Sequence, residues 1–185
     1  MKRNITQLRR LVGERTRISV PQLQQELRIS YTIAREIRDE LVFRGWVEDT
    51  PVGVEYAVIP ENLEMHLLTR QEVQQIYSQL DHDITCTMEL LVEQPGADFA
   101  KIEKLVHGTE DTAKALKFLL DNRMVYAHRQ AWFLRITEDA VKLLCKLLSK
   151  KPGDLFRESS PEAMAQWHDW VKETLDEVYQ NSQTV

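Results

Sequence analysis

The side chains with the most definite chemistry lie close together: Arg28, Ser30, Tyr31, Thr32, Arg35 and Arg38. An arginine fork can bind the O6/N7 edge of guanine or a phosphate through paired N–H donors, and hydroxyls suit phosphate positioning. A helix beginning at Ser30 would add a partial positive charge at its N-terminus, where anions are favoured. Together these residue types point to an anionic duplex as ligand. A blander arrangement stays open, in which Arg35 and Arg38 pair with Glu36 or Asp39 as solvated surface charges. Arg9, Arg10, Arg15 and Arg17 are candidates for backbone contacts beside this stretch.

Several elements must position these groups. Ile5, Leu8, Leu11 and Val12 recur at helical spacing, predicting a first helix from about Asn4 to Arg17, with Ile18 extended after it. Ser19, followed by Pro21, starts a second helix whose inner face is Leu23 and Leu27. Ser30 caps a third, with Ile33, Ile37 and Leu41 facing inward beside Ala34, and Gly45 ends it. Strand-like Trp46-Val47 and Val54 to Ile59 flank the polar stretch Glu48 to Gly53, as two strands flank a wing. This layout is a helix-turn-helix with its second helix shaped for a major groove.

Charge is unevenly spread. Ten basic residues against five acidic ones leave residues 1–47 at +5, so the remainder carries −10 of the net −5. A basic face attracts a duplex even in an acidic chain, because counterion release depends on the local cations. The wing is less suited, with Glu48, Asp49 and Glu55 around it.

A connecting helical segment is expected over residues 61–82, where Thr69 and Glu72 have capping-box spacing. The helical pattern then returns. Ile84, Met88, Leu91 and Val92 precede Pro95-Gly96; Phe99, Ile102, Leu105 and Val106 precede Gly108; Thr109 caps a helix with Ala113, Leu116, Leu119 and Leu120. Val125 to His128 and Trp132 to Ile136 read as strands around Arg129-Gln130-Ala131. The halves align at a constant offset of 79, matching Ala34 with Ala113, Ile37 with Leu116 and Leu41 with Leu120. Glu110 and Asp111 begin the later third helix, where a DNA reader needs neutral or basic groups, so that half suits protein contact better. Thr137 to Leu148 closes it. A last acidic helix runs from Ser160 to about Tyr179. Its Trp167, Trp170, Val171 and Tyr179 form a candidate interface to a second copy or another protein, or else pack on the second half.

Catalytic and metal-binding motifs are missing from the sequence. His66, His82, His107, His128 and His168 are scattered, Cys86 and Cys145 are isolated, and His82, Asp83 and Cys86 lack a fourth ligand. There is no GxSxG and no glycine-rich phosphate loop. Neither catalytic residues, metal ligands nor a cofactor are expected. No apolar run reaches the roughly 18 residues of a membrane span, and no signal peptide is evident.

The stretch from Ser19 to Leu41 closely resembles the gamma domain of the FtsK/SpoIIIE DNA translocases, a winged-helix module that reads DNA orientation sequences. Ser19, Val20, Leu23, Gln24, Leu27, Arg28, Ile29, Tyr31, Ala34, Asp39 and Leu41 match its pattern. The resemblance covers about 60 residues at most and implies a winged helix. Ile33 and Glu36 replace two of the family's arginines, while Arg35 and Arg38 offer cations at neighbouring positions. GxxxxGK[ST] is absent, so nothing here implies the translocase motor.

The expected fold is mainly α with small β-hairpin wings (α+β): tandem winged helix-turn-helix domains at residues 1–60 and 83–148, and a C-terminal helix in 149–185. The expected function is sequence reading on double-stranded DNA through residues 30–44, in transcription regulation or DNA maintenance, by a cytoplasmic bacterial protein that is a homodimer or meets a protein partner. The alternative is a tandem winged-helix scaffold resembling segregation-complex subunits, which does not itself bind DNA.

Overall fold

A computed structural model describes residues 4–153 and 160–181; Lys2 and Arg3, part of the basic amino end, lie outside the described residues. The fold is mainly helical with two small antiparallel sheets. In the first half, α1 (Ile5–Gly13) leads into β1 (Arg17–Ser19), α2 (Val20–Leu27), α3 (Tyr31–Phe43) and β2 (Glu55–Ala57). The first helix therefore stops short of Arg17, which lies in β1, paired with β2 in the register Ile18↔Tyr56. Val47 bridges Val58, and Val52 bridges Glu55, closing a hairpin over the polar stretch.

Local chemistry explains these boundaries. Ser19 caps α2 with a complete capping box to Gln22, and Pro21 lies in the first turn. Arg28 ends α2 in a left-handed conformation, φ 52°, and Ser30 caps α3 by accepting from the Ile33 amide at 3.3 Å. Leu8, Val12, Ile18, Leu23, Ala34, Ile37, Leu41 and Trp46 form the first core.

The segment between the halves is divided. Helix α4 (Pro60–Leu63) adds Leu63 to the first core. Helix α5 (Arg70–Ile76) and the 3-10 turn Tyr77–Gln79 bury Val73, Ile76 and Leu80 in the second. Residues 61–82 are thus built into the two cores rather than spanning between them. The second half continues with α6 (His82–Glu93), β3 (Ala97–Asp98), α7 (Phe99–Val106), α8 (Thr109–Asp121), β4 (Val125–His128), β5 (Ala131–Leu134) and α9 (Glu138–Ser149). Its sheet has the order β3-β5-β4.

The two halves share local features at a near-constant offset, but the register changes. Ser19 and Asp98 cap α2 and α7, and Arg28 and His107 end them, both left-handed, at an offset of 79. The next turn is one residue shorter in the second half, so α8 matches α3 at 78, and Gly108 rather than Thr109 stands at its N-cap, with no side-chain cap. Trp46 N–H donates to Leu41 O at 2.9 Å, and Met124 N–H to Leu119 O at 2.8 Å. Ala34 therefore corresponds to Thr112, Ile37 to Ala115 and Leu41 to Leu119. Ala113 is exposed and Leu120 is 45% exposed, against the expectation that they face inward.

Helix α10 (Pro161–Asn181) lies on the second core, where Trp167, Val171 and Leu175 are buried. Among the described residues no helix is long and apolar enough to cross a membrane.

Candidate nucleic-acid interface

Helix α3 presents its N-terminal turn to solvent. Ser30, Thr32 and Arg35 are exposed and Tyr31 is 56% exposed, while Ala34, Ile37 and Leu41 anchor the opposite face. Arg28 is exposed in the turn just before it. Ile33 is half-buried against the first core, so that position faces partly inward.

Arg38 has a different place. Its side chain is only 19% exposed; Nε donates to Asp39 at 2.6 Å and Nη1 to the Tyr56 hydroxyl at 2.5 Å, with the guanidinium over the Tyr56 ring. Burial opposes its charge, but the hydrogen bonds it donates to Asp39 and Tyr56 outweigh this and raise its pKa. Arg38 thus ties α3 to β2, and is not an open groove contact.

The flanking arginines have partners within the first half, some of them in exposed pairs. Arg9 stacks over Trp46 at 4.9 Å; burial lowers its pKa, and its Nε has no hydrogen-bond partner. Arg15 pairs with Glu26, Arg17 with Glu55 at 3.6 Å, and Arg10 with Glu14 at 3.1 Å, the last pair fully at the surface. Arg44 pairs with Glu40 at 2.7 Å and lies over Trp46 and Phe133. Arg28 and Arg35 form no ion pair among the described residues.

A comparison with protein-family models, with curated proteins and with solved structures finds no match.

The corresponding face of the second half is self-neutralised. Lys114 pairs with Glu110 at 2.9 Å and Lys117 with Asp121 at 2.6 Å, with Asp111 also in the first turn. Such pairs hold the α8 cations close to acids of the same helix.

The halves meet along a seam that sequence reasoning missed. Trp46 Nε1 donates to the Tyr126 hydroxyl, Phe43 meets Phe133 edge-on at 5.4 Å, and Arg135 stacks over Tyr126 at 4.7 Å while donating to the Glu61 carbonyl at 2.7 Å. Gly45, at φ 68°, fits because a Cβ there would meet His128 Cγ at 2.5 Å. Beyond the seam, Arg129 pairs with Asp49 of the first hairpin. Arg129 and Gln130 alone form the β4–β5 turn, since Ala131 begins β5. Both have positive φ, as a type I′ turn requires, which costs a non-glycine residue about 1–2 kcal/mol.

The candidate interface on α10 is largely covered by the chain itself. Trp167 is buried and donates Nε1–H to the Leu147 carbonyl at 3.0 Å, Val171 is buried, Tyr179 donates to the Leu68 carbonyl at 2.8 Å, and Trp170 lies half-buried near Lys146. His82 and Cys86 do approach, with Sγ 3.3 Å from Nε2, but among the described residues no group of three His, Cys, Asp or Glu is placed to hold a metal.

Proposed function

We propose that this chain is a tandem winged-helix protein that binds double-stranded DNA through the first half, with α3 in the major groove, as a sequence-reading regulator or DNA-maintenance factor. One observation carries the reading. Among the described arginines of residues 4–59, Arg9, Arg10, Arg15, Arg17, Arg38 and Arg44 are engaged by carboxylates or aromatic rings. The two without such partners, Arg28 and Arg35, flank the exposed turn of Ser30, Tyr31 and Thr32. A winged helix presents that turn to base edges and phosphates. The resemblance of residues 19–41 to the FtsK/SpoIIIE gamma domain supports the same face.

The paired lysines and acidic first turn of α8 favour protein contact for the second half. A scaffold that never touches DNA is the second reading, and it rests on that observation and the −10 remainder.

Anisotropy titration of labelled duplex over a range of salt concentrations tests the proposal. Arg28→Ala and Arg35→Ala should each weaken binding and flatten the salt dependence by about one unit of slope if the residue contacts phosphate. No duplex binding by the unaltered chain, or affinity unchanged in both variants, leaves the scaffold.

A further inference from the structure

We infer that Arg129, supplied by the second half, belongs to the duplex-facing surface of the first, where it cancels the charge of Asp49 on the wing. This rests on the DNA-binding reading above. The first hairpin is poorly suited to phosphates by itself: Glu48 and Asp49 lead into it, Glu55 follows it, and its tip carries no cation, with Pro51, Val52 and Val54 exposed and the Thr50 hydroxyl turned to Asp49. An uncompensated carboxylate beside a polyanion repels it, most strongly at low ionic strength.

Arg129 lies 80 residues away in sequence, yet its guanidinium donates to Asp49 Oδ2. The side chains remain 61% and 45% exposed, so the pair is an open one that a phosphate can approach rather than a buried staple. The Asp49 carboxyl is held below its ordinary range, first by the Arg129 hydrogen bond and then by Thr50. The carrier is independently unusual. Arg129 and Gln130 both occupy the left-handed region, at φ 48° and 70°, where Asn-Gly would be relaxed. Strain held by surrounding structure is a reason to look for a role. Here the surroundings are the seam of Trp46, Tyr126 and Phe133, which sets the hairpin against the first half.

Both side chains are exposed, so substitution should keep the fold, and the test is a rescue in duplex affinity. At low salt Arg129→Ala should weaken binding about three- to tenfold, Asp49→Asn should tighten it, and Arg129→Lys should stay near the unaltered chain. The double variant Arg129→Ala/Asp49→Asn should recover most of the loss. A purely structural bridge predicts the opposite for the double variant, because the bridge is still missing. Unchanged affinity in Arg129→Ala, or a loss that Asp49→Asn does not restore, overturns the inference while leaving DNA binding intact. Failure of the unaltered chain to bind any duplex removes the underlying reading, and this inference with it.

Discussion

The indole of Trp46 donates to the hydroxyl of Tyr126 at 3.0 Å, and that hydroxyl donates in turn to the Arg44 carbonyl at 3.0 Å. Both rings are buried, so this relay joins the end of α3 to the second sheet where water cannot replace a lost partner. Tyr126→Phe keeps the stacked contact with Phe133 but strands a buried donor and an acceptor. It should cost about 1–3 kcal/mol in urea unfolding. A loss below about 0.5 kcal/mol would show that the relay contributes little. Burial raises the Tyr126 pKa, and the neutral hydroxyl's contribution is therefore complete below the ordinary tyrosine pKa, then lost as pH rises through the folded value. In an alkaline absorbance titration the Phe variant should lose a late-ionising tyrosine.

Arg35 and Arg38 are three positions apart on one helix, yet the structure separates their tasks. Arg38 gives up two hydrogen bonds and a ring contact when truncated, so Arg38→Ala should cost about 1–2 kcal/mol of stability. Arg35→Ala, at an exposed site without an ion pair among the described residues, should cost under about 0.5 kcal/mol. The ranking for duplex affinity should be the reverse. A larger fall in the salt slope for Arg38→Ala than for Arg35→Ala would exchange the two assignments.

Much of the local structure was legible in the sequence because it is locally determined. Ser19, Ser30 and Thr69 all cap helices, and Gly45 takes positive φ at the end of α3. Longer-range facts had no local signal. The ring over which Arg9 stacks belongs to Trp46, and the carboxylate facing Arg129 to Asp49; neither spacing is a periodicity. The register of α8 is ambiguous in the sequence because Leu119-Leu120 and Ala113 to Leu116 offer apolar residues at adjacent phases. Only the shortened turn at His107-Gly108 decides which of them face inward. For α10, amphipathic spacing identified the apolar face but not the surface that covers it.

That last ambiguity gives a prediction. Trp167 is buried between α9 and the Tyr77 ring, 5.2 Å away, with its N–H satisfied by Leu147. Trp167→Ala should cost about 3–5 kcal/mol, as large-to-small changes in a core do. Leu175→Ala, deeper in the same face, should cost about 2–5 kcal/mol. Neither should change the sedimentation coefficient of the folded protein. A normal unfolding midpoint accompanied by a shift to smaller species would return this face to an intermolecular contact.

Cys145 should be a slow thiol despite being partly exposed. Burial first, and then the charge and hydrogen bond of Glu89, push its pKa to about 11 from an ordinary 9.0. Only the thiolate attacks an alkylating agent, but a more basic thiolate is also a better nucleophile, which offsets part of the deficit. At pH 8 iodoacetamide should therefore modify Cys145 on the order of tenfold more slowly in the folded chain than in urea. Glu89→Gln removes the negative charge and should speed the folded-state reaction. The sign for stability follows from the same shift. A folded pKa above the unfolded one gives a contribution that is whole below pH 9 and declines as pH rises toward 11, because only the unfolded chain readily loses the proton. Peptide mapping after timed alkylation separates Cys145 from Cys86, whose thiol is also raised, first by burial and then by Glu89 and Asp83. Equal rates for Cys145 in folded and unfolded chains, or no acceleration in Glu89→Gln, would show that Glu89 does not control this thiol.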